Sequence, residues 1–136
     1  MSNDAPLAAH IARQNAFQKA RERFQGRTDP FEPGDYPEAV CVLLELTRIH
    51  HGTGGAVRAA QVLLNAYNST RFPFDPSELG YLDPDLQAAA FAVMWGRIAT
   101  SLEPHEFFKE GGKIFEALAD EYPPRFQEVA RKRDTW

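Results

Sequence analysis

The side chains that could hold a metal ion lie at spacings that do not suit one. Zinc sites usually combine histidines and cysteines at short fixed intervals, or two histidines one helical turn apart. His50 and His51 close a strongly apolar segment, where the dipole of a helix C-terminus favours histidine without any metal. His105 is followed by Glu106 but not by the second histidine of a zinc-protease helix. We therefore predict no metal site and no cofactor.

The single cysteine, Cys41, is a poor nucleophile by its sequence context. Glu38 and Glu45 lie three and four residues away, on the same face of a predicted helix. Nearby carboxylates raise the pKa of a thiol and so oppose formation of the reactive thiolate. We predict a small half-buried residue there and no catalytic residue in the chain. A small enzyme or metal protein stays as the third hypothesis for function.

Basic side chains are concentrated at the two ends of the 136-residue chain. The overall net charge is −4, but residues 1–28 carry +3, residues 29–124 carry −9 and residues 125–136 carry +2. We expect the basic ends to pair with the acidic middle of the same chain. The alternative is a nucleic-acid-associated accessory protein that uses these cations. The residues concerned are Arg13, Lys19, Arg21, Arg23, Arg27, Arg131, Lys132 and Arg133.

A helix-turn-helix is a weaker form of the same alternative. Residues 37–51, the turn at 52–55 and residues 56–68 have its gross spacing. The second helix would offer only Arg58, Gln61 and Asn65 to DNA, and the helix before it is acidic. Several phosphate contacts need more cations on one face, so nucleic acid is possible but not favoured.

Two aromatic clusters are the candidate partner-binding residues. The central turn contains Arg71, Phe72 and Phe74, and a later segment contains Phe107 and Phe108. Arginine and aromatic side chains are the types that most often anchor protein interfaces. The alternative is that Phe72 and Phe74 are buried under their own loop while Arg71 pairs with a carboxylate.

Helical periodicity and capping signals place these residues on an all-α fold. The predicted helices are residues 5–25, 37–51, 54–68, 84–102 and 113–122, with a short helical turn after Asp75-Pro76 and a last short helix after Pro123. Asp83-Pro84 marks another helix start, and Gly111-Gly112 is expected to end the short segment before it. The fold class is a compact bundle of five or six helices with an N-terminal helical arm.

The predicted core and domain bounds follow from the same pattern. Residues 37–51 are apolar around most of the helix and must be central. Phe91, Trp95, Ile98 and Leu102 repeat at four, three and four residues, which predicts an inward stripe. The domains are a basic helical arm (1–28), a helical core (36–122) and a short basic C-terminal segment (123–136).

Composition argues for the cytoplasm. No apolar run approaches the roughly 18 residues of a membrane span. The N-terminus lacks the basic and apolar regions of a secretory signal, and one cysteine excludes an internal disulfide framework. A strongly apolar central helix also leaves room for a homo-oligomer, since a second copy could cover part of it.

The stretch from about 40 to 121 resembles a small uncharacterised domain family. The segments that carry the resemblance are Leu43–Leu46, His51–Gly55, Leu63–Asn68, Arg71–Asp75, His105–Phe108 and Gly111-Gly112. That family is found on integrative and conjugative elements and plasmids of Proteobacteria, with no assigned activity. The resemblance implies an accessory protein of mobile DNA.

We therefore expect a non-enzymatic binding or regulatory protein that acts through contacts with another protein. The aromatic turn, the acidic middle and the lack of a catalytic signature favour it over the nucleic-acid and enzyme alternatives.

Overall fold

The computed structural model describes residues 5–27 and 29–123, and within them the chain forms helices and no strands. The α-helices are α1 (Ala5–Glu22), α2 (Asp35–Ile49), α3 (Gly54–Tyr67), α4 (Pro84–Thr100) and α5 (Gly111–Glu121), with 3₁₀ turns at Pro76–Tyr81 and Pro104–Phe107. The predicted all-α bundle is confirmed. The last predicted helix lies outside the described residues. None of the described helices is long and apolar enough to cross a bilayer.

Helix α2 is the centre of the bundle, as its apolar circumference predicts. It packs against both α3 and α4, and nine of its fifteen residues are buried. The turn to α3 is short because Thr53 caps the new helix, its hydroxyl accepting a hydrogen bond from Ala56 N at 3.2 Å. Helices α2 and α3 therefore form a hairpin.

Small residues line the face of α4 that meets α2. The buried residues of α4 include Ala89, Ala90, Val93 and Gly96. The ring of Tyr36 lies directly on Gly96, where a Cβ atom would overlap it. Side chains this small let two helix backbones approach closely, and close packing is favourable because it maximises dispersion contacts.

The predicted inward stripe on α4 is wrong. Phe91 is 45% exposed, Ile98 is 82% exposed and Leu102 is 42% exposed, while Trp95 is half-buried. An equally regular row of smaller residues, Ala89, Val93 and Gly96, occupies the inward side. Backbone approach at Tyr36 favours the smaller row, so the larger side chains point outward.

The expectation that Gly111-Gly112 ends the short segment before it is also wrong. Gly111 is the first residue of α5 and is buried. A Cβ atom there would overlap the carbonyl group of His105. Glu110, at φ +58°, turns the chain into the helix. Glycine is needed at 111 because α5 begins against the backbone of the preceding turn.

The N-terminal arm packs on its own domain through its C-terminal half. Phe17 is buried in the core, as is Phe24, two residues after α1 ends. Helix α1 contacts α2 and α4, while Leu7 and Ile11 in its first half are exposed. The weak apolar pattern of α1 thus reflects one buried half.

Two arginines after α1 neutralise a buried carboxylate at the start of α2. Asp35 is 1% exposed; its Oδ1 accepts from Arg23 at 2.9 Å and its Oδ2 from Arg27 at 2.7 Å. The amide of Glu32 also donates to Oδ2 at 2.7 Å. The hydrogen bonds from Arg27 are the main reason that the pKa of Asp35 lies far below its usual range, and burial opposes them. Helix α2 therefore starts two residues before the predicted position.

Replacement of Gly96 by alanine should destabilise the protein strongly. The added methyl group must displace Tyr36 or push α4 away from α2, and overpacking of this kind costs about 3 kcal/mol. Gly112→Ala is the control, because a Cβ there meets no atom within 4 Å. Urea unfolding should show a large loss for Gly96→Ala and no loss for Gly112→Ala. Equal stability of the two variants would contradict the close α2–α4 contact.

Replacement of Asp35 by asparagine should lower stability and flatten its dependence on acid pH. The folded-state pKa is lowered, so the carboxylate stabilises the fold fully above the unfolded value of about 4. That contribution is lost as pH falls below this value. We expect Asp35→Asn to reduce the free energy of unfolding by roughly 2 kcal/mol at pH 7, less than for a fully enclosed pair because Arg23 is partly exposed.

Denaturant unfolding between pH 7 and pH 2 measures both effects. Exposed Asp120 provides the control substitution, Asp120→Asn. If the Asp35→Asn protein lost stability below pH 4 as steeply as the unaltered protein, Asp35 would not be the group responsible.

Candidate protein-binding surface

An exposed apolar strip runs along the outer side of α4. We call Phe91, Met94, Trp95, Ile98 and Leu102 the α4 stripe. Spacings of three and four residues bring Phe91, Met94, Trp95 and Ile98 to one side of the helix, and Leu102 follows just after α4 ends. Phe91, Ile98 and Leu102 are exposed, whereas Met94 and Trp95 are half-buried. Water therefore meets large apolar side chains along the second half of the helix, an arrangement typical of interaction sites.

The α4 stripe carries almost no charge. Between Asp85 and Glu103 the only charged residue is Arg97. Its guanidinium group turns toward its own chain: Nε donates to the carbonyl of Ala66 at 3.1 Å, and Nη2 lies 3.9 Å from Glu103. The stripe is therefore neutral on a molecule whose middle region is acidic.

An aromatic ring from the loop before α2 shields one side of the stripe. Phe31 lies with its ring centre 6.1 Å from that of Trp95. The guanidinium group of Arg27 lies over Phe31 at 5.6 Å. The same arginine that binds Asp35 thus holds the ring that borders the stripe, and these contacts favour a single position for it.

An open cleft of about 500 Å³ adjoins the C-terminal half of the stripe. Met94 and Ile98 belong to both. The other lining residues are Asn65, Ala66, Tyr67, Asn68, Ser69, Arg97 and Glu103. The combination of an apolar strip with polar groups at its border is the anatomy of a protein interface.

The guanidinium group of Arg71 forms an ion pair with a carboxylate of its own chain. Its Nη1 and Nη2 donate to Glu116 at 2.7 and 3.0 Å. The hydroxyl of Tyr67 donates to the same carboxylate at 2.6 Å. Hydrogen bonds from Arg71, followed by that from Tyr67, lower the pKa of Glu116 to about 2, and the bond to Glu116 raises the pKa of Tyr67. The hydrogen bonds from Arg71 to Glu116 therefore connect the central turn to α5.

The predicted aromatic anchors lie mostly against the core. Phe72 is buried, and Phe74, Phe107 and Phe108 are partly buried and packed on core residues. The ring of Phe107 meets Tyr36 edge-on at 4.9 Å. This placement matches the packing alternative for Phe72 and for Arg71. Their role in partner binding stays a prediction, and the larger exposed apolar surface is the α4 stripe.

Two segments distant in sequence meet beside this turn. His105 lies edge-on to Tyr67, with ring centres 5.1 Å apart, and Tyr67 also packs on Phe115. The turn that contains His105 therefore joins α3 to α5. Its capping box, in which Glu106 accepts from the Glu103 amide at 2.6 Å, keeps the turn in place.

Most cations of the basic arm are engaged in ion pairs. Arg13 donates to Glu45 at 2.6 and 3.1 Å, and Arg21 donates to Asp85 at 2.6 and 3.0 Å. Arg23 and Arg27 hold Asp35, as described above. Lys19 is exposed, and Arg131, Lys132 and Arg133 lie outside the described residues. The expected pairing of the basic arm with the acidic middle is confirmed for these four arginines.

The polar residues of α3 face its own domain. Arg58 donates to Glu78 at 3.3 Å and lies 4.5 Å above the ring of Tyr81. Asn65 donates to the carbonyl of Phe72 at 2.9 Å. Two of the three residues that a recognition helix would use are therefore occupied by structural contacts.

Cys41 is exposed, not half-buried as predicted. Partial desolvation of the thiol is the main cause of its raised pKa, and Glu38 and Glu45 add to it. The predicted direction is confirmed, and it disfavours the thiolate. Within residues 5–27 and 29–123, no three His, Cys, Asp or Glu side chains are grouped to hold a metal ion.

The sequence model of a family of unknown function, DUF7673, matches residues 37–123. The chain belongs to this family. Comparison with curated proteins and with solved structures found no match. The DUF7673 domain comprises nearly all of α2 and the whole of α3, α4 and α5, so the α4 stripe and the cleft lie inside it. The prediction of an uncharacterised domain over about 40–121 is confirmed.

Sequence reasoning missed the stripe as a surface of the DUF7673 domain, although a signal was present. Ala89, Val93 and Gly96 recur at four and three residues. A row of small residues with a glycine in mid-helix indicates close helix packing. That row competes with the large residues for the inward side.

The low pKa of Glu116 should depend on Arg71. Arg71→Ala removes both guanidinium hydrogen bonds, so we expect the pKa to rise from about 2 toward the ordinary value of about 4.3. Lys113→Ala is the control, because Lys113 pairs with Glu110 at 3.5 Å. A titration of side-chain carboxyl carbons by NMR measures the change. A pKa that stays near 2 in Arg71→Ala would show that another group holds the carboxylate.

Proposed function

We propose that the DUF7673 domain is a binding or regulatory accessory protein that acts through protein contacts made by the α4 stripe. The observation that supports this proposal is the outward row of large apolar side chains, with Ile98 82% exposed. Exposing such a row to water is unfavourable, at about 25 cal/mol for each Å² of apolar surface. A partner that covers the row recovers this free energy.

The shape of the surface favours a protein over a small ligand. Small-molecule sites are concave and enclose most of their ligand, whereas the stripe lies on the outside of a helix and the cleft beside it is open. A partner helix or loop could cover Phe91, Trp95 and Ile98 together. Polar groups of Asn68, Ser69 and Glu103 would then orient it from the border.

The nucleic-acid alternative has less support. A protein that binds phosphates needs cations whose charge is not already neutralised. Arg13, Arg21, Arg23 and Arg27 are paired with carboxylates of the domain, and binding would have to break those pairs.

We also propose that the protein serves mobile DNA in the cytoplasm. This part rests on the resemblance to domains of conjugative elements and plasmids described above. A survey of the genes beside those that encode DUF7673 domains tests it. The expectation is an excess of integration and conjugation genes over the genomic background, and a background-level frequency would contradict it.

Substitutions on α4 test the binding proposal. Ile98→Glu and Phe91→Glu each place a charge in the stripe, and both positions are exposed, so the fold should tolerate them. The unaltered chain is used to capture proteins from lysate of its own host. We expect the amount of a captured partner to fall at least tenfold with either variant, as it does when an interface anchor is replaced. Quantitative mass spectrometry of the captured material provides the measurement.

Ala117→Glu is the matched control. Ala117 is an exposed helical residue of α5, and α5 packs on α3 and the Pro104–Phe107 turn. The control adds the same charge away from the stripe and should keep the captured proteins. Capture that is equal in all three variants would overturn the proposed role of the stripe. Circular dichroism establishes that each variant is folded.

A further inference from the structure

We propose that the partner of the α4 stripe is the stripe of a second copy of this chain, with the two α4 helices antiparallel about a two-fold axis. This inference rests on the proposed function and names the partner at the same site.

The spacing of the stripe suits helix-on-helix pairing. Phe91, Met94 or Trp95, and Ile98 follow one another at three and four residues, which averages to the 3.5-residue repeat of paired helices. Two such rows interdigitate with the helix axes about 20° apart. Any second helix could meet this requirement, and a second copy supplies one with matching large side chains.

Charge distinguishes self-pairing from other contacts. The whole chain carries a net charge of −4, so two copies repel each other unless they meet at a neutral face. The interval 86–102 contains no carboxylate and one cation, Arg97, whose guanidinium group binds Ala66 and approaches Glu103 of its own chain. The stripe is therefore a face on which identical acidic molecules can meet without opposing like charges.

The antiparallel arrangement follows from the position of the large side chains. The midpoint between Phe91 and Ile98 falls at Met94 and Trp95. Rotation about an axis there places Phe91 opposite Ile98 of the second copy. Trp95 then faces Met94 of the second copy and lies close to the second Trp95, so each large ring has an apolar neighbour. Antiparallel helices also bring opposite ends of their dipoles together, which is favourable.

The extent of the stripe sets the expected affinity. From Phe91 to Ile98 the helix rises roughly 10 Å, and one helical face of this length covers less than the ~800 Å² per partner of a standard interface. The pair should therefore form and separate reversibly. We expect a dissociation constant in the micromolar range, on the order of 10 µM.

Molar mass in solution is the first test. The chain has a mass of 15.3 kDa, so a dimer has twice that, 30.6 kDa. Light scattering from about 1 µM to 1 mM should show the mass rising from the lower to the higher value. Ile98→Glu and Phe91→Glu should remain monomeric at concentrations tenfold above those at which the unaltered chain dimerises. Ala117→Glu should dimerise as the unaltered chain does.

Cysteine cross-linking tests the antiparallel geometry. In a Cys41→Ser background, Trp95→Cys should form a disulfide with its own copy, because that position lies next to the axis. Phe91→Cys alone should not do so, but a mixture of Phe91→Cys and Ile98→Cys should give the mixed dimer. A parallel pair would instead give cross-links for each single variant alone, and that result would overturn the antiparallel arrangement.

The outcomes separate this inference from the proposed function. An unaltered chain that stays at 15.3 kDa up to 1 mM overturns self-pairing; if the stripe variants still lose a captured protein, binding through the stripe stands with a different partner. A dimer that Ile98→Glu and Phe91→Glu leave intact places the contact elsewhere and overturns the inference. A dimer that both variants dissociate and the control preserves supports it.

Discussion

The contact between Tyr36 and Gly96 is the constraint on which the arrangement of the bundle depends. A glycine in the middle of α4 lets the ring lie against the helix backbone. The Tyr36 hydroxyl then donates to the carbonyl of Leu102 at 2.7 Å, which anchors the chain just beyond α4. Phe107 packs edge-on against the same ring. One side chain thus sets the distance between α2 and α4, the rotation of α4 and the position of the turn that leads to α5.

That rotation has a functional consequence. A helix with large residues on one side and alanines on the other can bury either side, and burial of the large side alone would remove more apolar area from water. Contact of α2 with the alanine side brings the backbones close and leaves Phe91 and Ile98 in solvent. The α4 stripe therefore exists because packing density, and not side-chain size alone, decides which side faces the core. The proposed protein contact covers what this choice leaves exposed.

Several local features could be predicted because they depend on neighbours in sequence. Thr53 caps α3, Asp75 caps the following 3₁₀ turn by accepting from Ser77, and α4 begins at Pro84. For the basic arm, the sequence predicts that ion pairs form but not which residues form them. The charge distribution indicates that opposite charges will meet, but the choice of Asp35 as the buried carboxylate depends on the loop between α1 and α2.

By itself, the sequence determined the helical class, the central place of α2 and the acidic and basic regions, since propensity, capping and charge act over a few residues. Tertiary structure alone decided which side of α4 is buried. It also decided that Gly111 starts a helix against His105 and that Arg71 meets Glu116. These outcomes require knowing which backbones approach each other, and periodicity cannot choose between two faces that are both apolar.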